Sequence, residues 1–202
     1  MSLRTPPGRA GRIWLLRRIA VARRGRDVLE QKRLALLREA EQLRTQRDEA
    51  QRAWDESARE AERWWQRAAL LAGQRPLRIT AALVPEAAGV TVHRRSSLGV
   101  TVPADPELRL PPPATSARGS SALALAGAAH RRALEAAAAL AVTERAYAAT
   151  LAEAAATGRR LRAIERRWLP EHERALDLLE LELDEVDRED AARVRWVIRR
   201  RG

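Results

Sequence analysis

The side chains that could do chemistry in this sequence are mostly arginines, and the usual catalytic groups are scarce. The chain has 202 residues and no Cys, so a thiolate nucleophile and a disulfide are both excluded. The three His, at positions 93, 130 and 172, lack the spacing of a metal site, and Lys32 does not follow the Gly of a nucleotide-binding Gly-x-x-x-x-Gly-Lys loop. No nucleophile, base and stabilising group can be assembled. The sequence therefore predicts a non-catalytic protein with no cofactor, no metal and no direct nucleotide binding.

The positive charge lies at the two chain ends. Residues 1–33 carry nine Arg, one Lys and two acids, a net charge of +8, and residues 193–202 carry five Arg and no acid. Because the whole chain has a net charge of +11, the residues between are slightly acidic. A basic coiled-coil protein that binds nucleic acid is one function that such a composition suits.

Three further features have both a functional and a structural interpretation. Residues 180–190 hold seven acids and one Arg, and a solvated or salt-bridged helix face is favoured there over a cation site. His172 falls in an apolar helix stripe, which favours a packed side chain over a ligand. Trp14 and Trp196 could stack on nucleic-acid bases, but they are expected to pack together if the chain ends meet.

Pro and Gly, the strongest helix breakers, divide the chain into three segments. Residues 9–72 contain no Pro and residues 120–202 contain only Pro170, whereas the stretch between them holds seven. We predict a mainly α fold with an N-terminal coiled-coil helix (1–72), an insert with a β-hairpin and a Pro-rich connector (73–119), and a C-terminal coiled-coil helix (120–202). These would form one elongated domain. No apolar run is long enough to span a bilayer, which predicts a cytoplasmic location.

Apolar residues recur at heptad spacing in both helical segments. Leu29, Leu36 and Leu43 belong to one such column in the first segment, and Leu169, Leu176 and Leu183 to another in the last. Two apolar positions per heptad are typical of a coiled-coil seam. We predict a long antiparallel two-helix coiled coil, with a kink or stutter near Pro170, where the column changes. The predicted seam comprises Leu29, Leu36, Leu43, Leu169, Leu176, Leu179, Leu183 and Val186.

Antiparallel pairing has a consequence for the charges. It would bring both basic chain ends to one tip and would lay the acidic residues 180–190 alongside residues 17–26. Part of the positive charge would then be neutralised within the chain. This arrangement disfavours nucleic acid as the partner, because a nucleic-acid-binding surface leaves its Arg free for phosphates.

Two short β-branched runs lie in the insert. Residues 90–93 and 100–102 both contain the alternating sequence Val-Thr-Val, and a Ser- and Gly-containing stretch separates them. Alternating runs around such a turn predict a β-hairpin, whose second strand we expect Pro103 to close. The hairpin residues singled out by this pattern are Leu98, Gly99, Val100, Val102 and Pro103.

Four segments together resemble the D subunit of the V-type (vacuolar/archaeal-type) ATPases. Near the N-terminus the matching residues are Leu15, Arg17, Arg18, Ile19, Ala22, Gly25, Asp27, Val28, Leu29, Lys32 and Arg33. The insert contributes residues 97–103, with the sequence Ser-Leu-Gly-Val-Thr-Val-Pro. Residues 159–170 and 183–195 are similar to the family's segments that begin Arg-Arg and Leu-Asp-Glu. One departure is Ala191-Ala192, where the family tends to have two Phe.

The resemblance implies a central-stalk rotor shaft that couples ATP hydrolysis or synthesis to proton or sodium translocation. Its implied partners are a hexamer of catalytic and non-catalytic (A- and B-type) subunits, the small F-type subunit and a socket subunit (C/d type) over the membrane ring. Its implied location is the cytoplasmic face of the membrane, as a peripheral part of the complex. We expect the hexamer contacts to come from Arg17, Arg18, Arg23, Arg24, Gly25, Arg193, Arg195, Arg199, Arg200 and Arg201. The alternatives are a nucleic-acid-binding or an adaptor coiled coil, the latter a parallel homodimer.

Overall fold

A computed structural model describes residues 5–73, 75, 78–79, 82, 87–112 and 121–201 of the chain. A long N-terminal helix, a two-stranded antiparallel hairpin and a long C-terminal helical region follow one another, which confirms the predicted mainly α fold. Most of the predicted Pro-rich connector, residues 113–120, lies outside the described residues. The elements are α1 (Gly8–Ala72), β1 (Gly89–Ser97), β2 (Val100–Arg109), α2 (Ser121–Ala163), a π-helical turn (Ile164–Trp168) and α3 (Leu169–Arg201).

The chain forms two compact units, and each contains parts of both helical regions. Unit 1 consists of Met1–Leu34 and Ala155–Gly202, and unit 2 of Ala35–Ala154. The three consecutive segments inferred from the sequence follow chain order instead, and that domain division stays a prediction.

Glycines mark both ends of α1, and the helix contains no Pro to interrupt it. Gly8 and Gly73 have φ angles of 71°, and the N–H of Gly73 donates to the carbonyl oxygen of Ala69 at 3.1 Å. A left-handed Gly with this bond is a common helix stop. Near the start, a Cβ atom added to Gly11 would collide with the carbonyl oxygen of Pro6 and press on Leu179. The absence of a side chain at Gly11 therefore lets the start of α1 pack closely against Pro6 and Leu179.

The helices of unit 2 pack antiparallel along a seam of small side chains. Ala68 packs against Ala122 and Ala126, while the earlier Ala61 packs against the later Ala129. Half-buried Trp54 and Trp64 cover these contacts. Because partner numbers rise as α1 numbers fall, α1 and α2 run in opposite directions within this unit.

The hairpin packs on the same helix pair through Val102, which contacts Leu43 and Ala146. Both turn residues, Leu98 and Gly99, have positive φ angles of 52° and 76°, the geometry that a two-residue hairpin turn needs. The predicted hairpin is confirmed, but its strands are longer than the alternating runs suggested. The expectation that Pro103 ends β2 is wrong, because the strand continues to Arg109.

The two prolines within β2 are tolerated because the sheet has only two strands. Pro103 lies opposite Arg94 and Pro106 opposite Val92, with an irregularity in the register between Val92 and Arg94. Each strand of such a sheet is an edge strand, so a residue without an N–H can face away from the partner without losing a bond.

The predicted seam residues differ in burial. Within unit 2, Leu36 and Leu43 are 1% and 3% exposed. Within unit 1, Leu169 is buried and Leu29, Leu176, Leu179 and Leu183 are half-buried. Val186 is 53% exposed, and its assignment to the seam is wrong. It lies where α3 extends past the first residues of α1. Every described side chain from position 184 to position 200 is exposed.

Candidate functional site

Unit 1 contains both ends of the chain, and its ion pairs show how its helices are aligned. Arg9 pairs with Asp187 at 3.1 Å, Arg12 with Glu180 at 2.7 Å and Arg23 with Glu173 at 2.8 Å. The partner numbers fall along α1, so α1 and α3 are antiparallel. The acidic residues 180–190 lie beside Arg9 and Arg12, which corrects the expected position beside residues 17–26. Heptad spacing defines a helix face, but it does not define how far one helix is displaced along the other.

The C-terminal extension, defined here as residues 188–201, continues past the last ion pair with α1. At 1.5 Å per residue it is about 20 Å long. Its apolar side chains are largely exposed: Val194 by 58%, Trp196 by 56%, Val197 by 43% and Ile198 by 65%. The expected packing of Trp14 against Trp196 is wrong, because the start of α1 lies beside Asp187 and the helix does not reach the level of Trp196. Trp14 is instead half-buried near Arg18.

The arginines expected to contact a partner fall into distinct groups. Arg23 pairs with Glu173, and Arg18 lies over Trp14 and Trp168, so both are engaged by their own chain. Arg17, Arg24 and Arg199 show no partner within the part of the chain that the structure describes. The side chain of Arg201 lies outside the described residues. A Cβ atom on Gly25 would meet nothing within 4 Å, so its small size serves no close approach between described residues of the chain.

Among the described residues, the extension arginines with a partner, including Arg193, Arg195 and Arg200, contact only their own helix. Arg193 contacts Glu189 and Asp190, each at 3.1 Å, and Arg195 donates to the carbonyl oxygen of Ala191 at 3.2 Å. The guanidinium of Arg200 lies 4.3 Å from the ring centre of Trp196. These local contacts orient the charges but leave them at the surface.

An aromatic cluster that the sequence interpretation missed lies where the π-helical turn faces α1. The guanidinium of Arg18 is 4.6 Å from the ring centre of Trp14 and 5.8 Å from that of Trp168. The Trp168 ring stacks on His172, with 3.6 Å between ring centres, and Nδ1 of His172 lies 2.9 Å from the carbonyl oxygen of Trp168. Both Trp14/Arg18 and Trp168/His172 are four residues apart, a helical spacing that could have signalled the contacts.

His172 is 3% exposed, which confirms the interpretation as a packed seam residue. Its Nε2 atom and Oγ1 of buried Thr157 have no hydrogen-bond partner among the described residues. The salt-bridged interpretation of the acidic run is also confirmed, because Glu180, Glu185 and Asp187 each pair with an arginine. In the part of the chain that the structure describes, no group of His, Asp and Glu side chains could hold a metal ion.

Short-range pairs within α1 shift the pKa of their members. The hydrogen bond from Arg33 lowers the pKa of the Glu30 carboxyl, and Glu30 in turn raises the pKa of Arg33. The hydrogen bond to Asp27 raises the pKa of Arg26. Glu165 of the π-helical turn adds a smaller upward effect on the pKa of both arginines. Each of these shifts favours the charged form of its group, so this face of unit 1 presents charges of both signs.

The predicted hairpin residues lie in unit 2 and take different positions. Leu98 and Gly99 form the turn, and Leu98 is 44% exposed. Val102 is 1% exposed, whereas Val100 and Pro103 are half-buried. The hairpin therefore attaches to the helices through one face and leaves its turn at the surface.

These features define a class of protein: antiparallel helix pairs with a hairpin insert and charged surfaces. A protein-family comparison then identifies the family. The model of the ATP synthase D-subunit family matches residues 13–199, and the chain belongs to this family. A comparison with individual curated proteins gives no match.

Family membership makes the protein a stalk subunit of a rotary ATPase, and it places the chain within an ATPase complex. The match includes most of α1, the hairpin and nearly all of α3. No helix among the described residues combines the length and the apolar character needed to cross a bilayer.

Proposed function

We propose that this protein is the central-stalk rotor shaft of a V-type rotary ATPase or ATP synthase. In this role it couples ATP hydrolysis or synthesis in a catalytic hexamer to proton or sodium translocation through a membrane ring. The family match over residues 13–199 is the observation that carries the proposal. The shaft itself is non-catalytic, and the conformations of its partners perform the chemistry.

The C-terminal extension is the surface best suited to enter the central cavity of the hexamer. It carries Arg193, Arg195, Arg199 and Arg200 beside exposed apolar side chains, including Trp196. Coupling requires contacts that differ between the states of the A- and B-type subunits, because a ligand shifts only equilibria between states that it binds unequally. Turning an asymmetric set of arginines within the cavity would provide such differences.

The internal contacts refine the set of arginines proposed to touch the hexamer. Arg17 and Arg24 on α1 have no partner within the described residues, so they remain candidates together with the extension. Arg18 and Arg23 are held by Trp14, Trp168 and Glu173, which favours a structural role for both. Gly25 stays a proposed point of close approach to the hexamer wall.

The remaining partners are proposed from the family resemblance. The small F-type subunit would bind the side of the shaft, and a socket subunit of the C/d type would link it to the membrane ring. This arrangement makes the protein a peripheral component at the cytoplasmic face of the membrane.

The experiment that tests the role of the extension is charge removal in the reconstituted complex. Changing Arg193, Arg195, Arg199 and Arg200 together to Gln should lower coupled transport by at least about fivefold, the lower range of typical coupling between sites. The matched control changes Arg52, Arg59, Arg63 and Arg145 of unit 2 to Gln and removes the same charge. Equal transport by the two variants would contradict the proposed contact surface.

A second experiment tests the assignment to the complex. Pull-down of the tagged full-length chain from its native host should recover A- and B-type subunits together with the small F-type subunit. Recovery of nucleic acid that is lost with increasing salt, without those subunits, would favour the nucleic-acid-binding alternative.

A further inference from the structure

The π-helical turn Ile164–Trp168 interrupts the regular hydrogen-bond ladder of the C-terminal helical region. The backbone N–H of Leu169 donates to the carbonyl oxygen of Ile164, five residues earlier, whereas an α-helix uses a partner four residues earlier. The next residue, Pro170, has no N–H, so the carbonyl of Arg166 lacks its regular donor. Two successive positions of the ladder are therefore altered.

The turn accommodates one extra residue in the buried seam of unit 1. Before it, buried positions follow helical spacing at Thr157 and Leu161, and after it they continue at Leu169 and His172. Leu161 and Leu169 are eight residues apart, one more than the heptad spacing of a seam. A wider turn rotates the helix less per residue, and it brings both leucines onto the same face.

Both flanks of the turn are anchored, while its middle is not. Leu161 and Leu169 are buried at 7% and 6% exposure. Trp168 is held by stacking on His172 and by the guanidinium of Arg18 from α1. Between these anchors no residue of the turn is buried, and the side chains of Arg166 and Arg167 are exposed.

We propose that this turn is a torsional joint, at which the helix segments before and after it rotate relative to each other about the helix axis. Twist about the helix axis concentrates where the hydrogen-bond ladder is irregular and the side chains are unpacked. The neighbouring turns resist this deformation because they are regularly bonded and packed. The inference rests on the proposed stalk function for its use: under torque, twist would collect at residues 164–168. No other π-helical stretch occurs in the described residues.

Hydrogen exchange of the isolated full-length chain tests the joint without the complex. Residue-resolved measurements should show the amides of 165–169 exchanging at least about tenfold faster than those of 157–161 and 173–177, because irregular segments open locally. Equal protection of the three stretches would overturn the proposal.

Single-residue deletions test whether the turn is a spacer. Deleting Arg166 closes the wide turn to a regular one and restores heptad spacing, so the thermal midpoint should be unchanged or higher. Deleting Arg174, a residue of regular α3, is the matched control. It rotates the following residues by about 100°, takes Leu176 and Leu179 off the seam, and should lower the midpoint. An equal loss in both variants would overturn the proposal.

The rotating complex then tests the mechanical role. Deletion of Arg166 should narrow the variance of the angular fluctuations of a probe on the stalk by about twofold, since the irregular turn is gone. Arg166→Ala, which keeps the chain length, should leave the variance unchanged. An assembled complex whose variance is the same with and without Arg166 would overturn the joint. Failure of the unaltered chain to join an ATPase would count against the stalk function alone, and hydrogen exchange would still decide on the joint.

Discussion

The helix pairs of unit 1 and unit 2 have seams filled by side chains of different size. In unit 2, alanines such as Ala61, Ala68, Ala126 and Ala129 meet across the seam and are nearly fully buried. In unit 1, larger side chains such as Leu15 are buried, and three ion pairs join the described residues of α1 and α3. Unit 2 also has an ion pair between its helices, Arg132 with Glu60 at 2.8 Å, so the two helix pairs differ mainly in the size of the side chains that fill the seam.

The difference has a physical consequence for how tightly each pair is specified. Short alanine side chains fill a seam only if the helix backbones lie close together, since protein interiors contain few voids. Such a seam tolerates neither cavities nor added bulk. Exposed ion pairs between long side chains contribute little and adapt easily. Unit 2 should therefore be sensitive to single methylene groups, whereas the ion-paired surface of unit 1 should not.

The largest expected effect comes from removing a leucine at the contact between the hairpin and the helices of unit 2. Leu43→Ala should lower the free energy of unfolding by about 2–5 kcal/mol, because it leaves a cavity beside Val102 and Ala146. Chemical denaturation followed by circular dichroism measures the change. In the control Leu70→Ala, the side chain is 87% exposed, and the change should stay within about 0.5 kcal/mol. Similar values for both variants would contradict a tightly packed unit 2.

Adding bulk to the alanine seam should have the next largest effect. Ala126 is 2% exposed and packs against Ala68. Ala126→Leu should cost about 1–3 kcal/mol of unfolding free energy, because the added atoms force the helices apart. The same change at exposed Ala128 provides the control and should be nearly neutral. A seam that accepts Ala126→Leu without loss would show that the backbones are not in close contact.

The ion pairs of unit 1 should contribute much less. A double-mutant cycle with Arg12→Gln and Glu180→Gln should give a coupling energy of about 0.2–1 kcal/mol, typical of exposed pairs. Raising the salt concentration should reduce the coupling, because exposed charges are screened. A coupling as large as the loss from Ala126→Leu, or one insensitive to salt, would remove the contrast between the units.

The smallest effect concerns a single carboxyl in unit 2. Arg47 donates a hydrogen bond to Asp48 at 3.0 Å, which lowers the pKa of the Asp48 carboxyl. The stabilising contribution of this pair is complete above the unfolded-state pKa and is lost as the pH falls through the lower folded-state pKa. Arg47→Gln should therefore raise the pKa of Asp48, as measured by NMR titration of its carboxyl carbon. Arg63→Gln, which leaves this pair intact, should not change it.

Much of the helix pairing could be predicted from residue spacing. Leu36 and Leu43 of the heptad column in α1 are both nearly fully buried. The hairpin could also be anticipated, because β-branched alternation around a Ser- and Gly-containing turn is a local pattern. The predictions for Val186 and Trp196 were wrong for the opposite reason: the exposure of these side chains depends on where the partner helix begins.

Local patterns of residues were sufficient to specify the helix faces, the hairpin and the positive charge at the two chain ends. Side-chain periodicity and backbone restrictions act over only a few residues. The axial displacement of the helices, which places Glu180 beside Arg12 instead of beside residues 17–26, emerged only from the packed fold. Displacing a helix by one heptad presents the same stripe to its partner, so spacing cannot select among these alignments. The change of heptad column near Pro170 predicted an irregularity there, but its form, a π-helical turn that accommodates one extra residue between Leu161 and Leu169, emerged only from the packed helices.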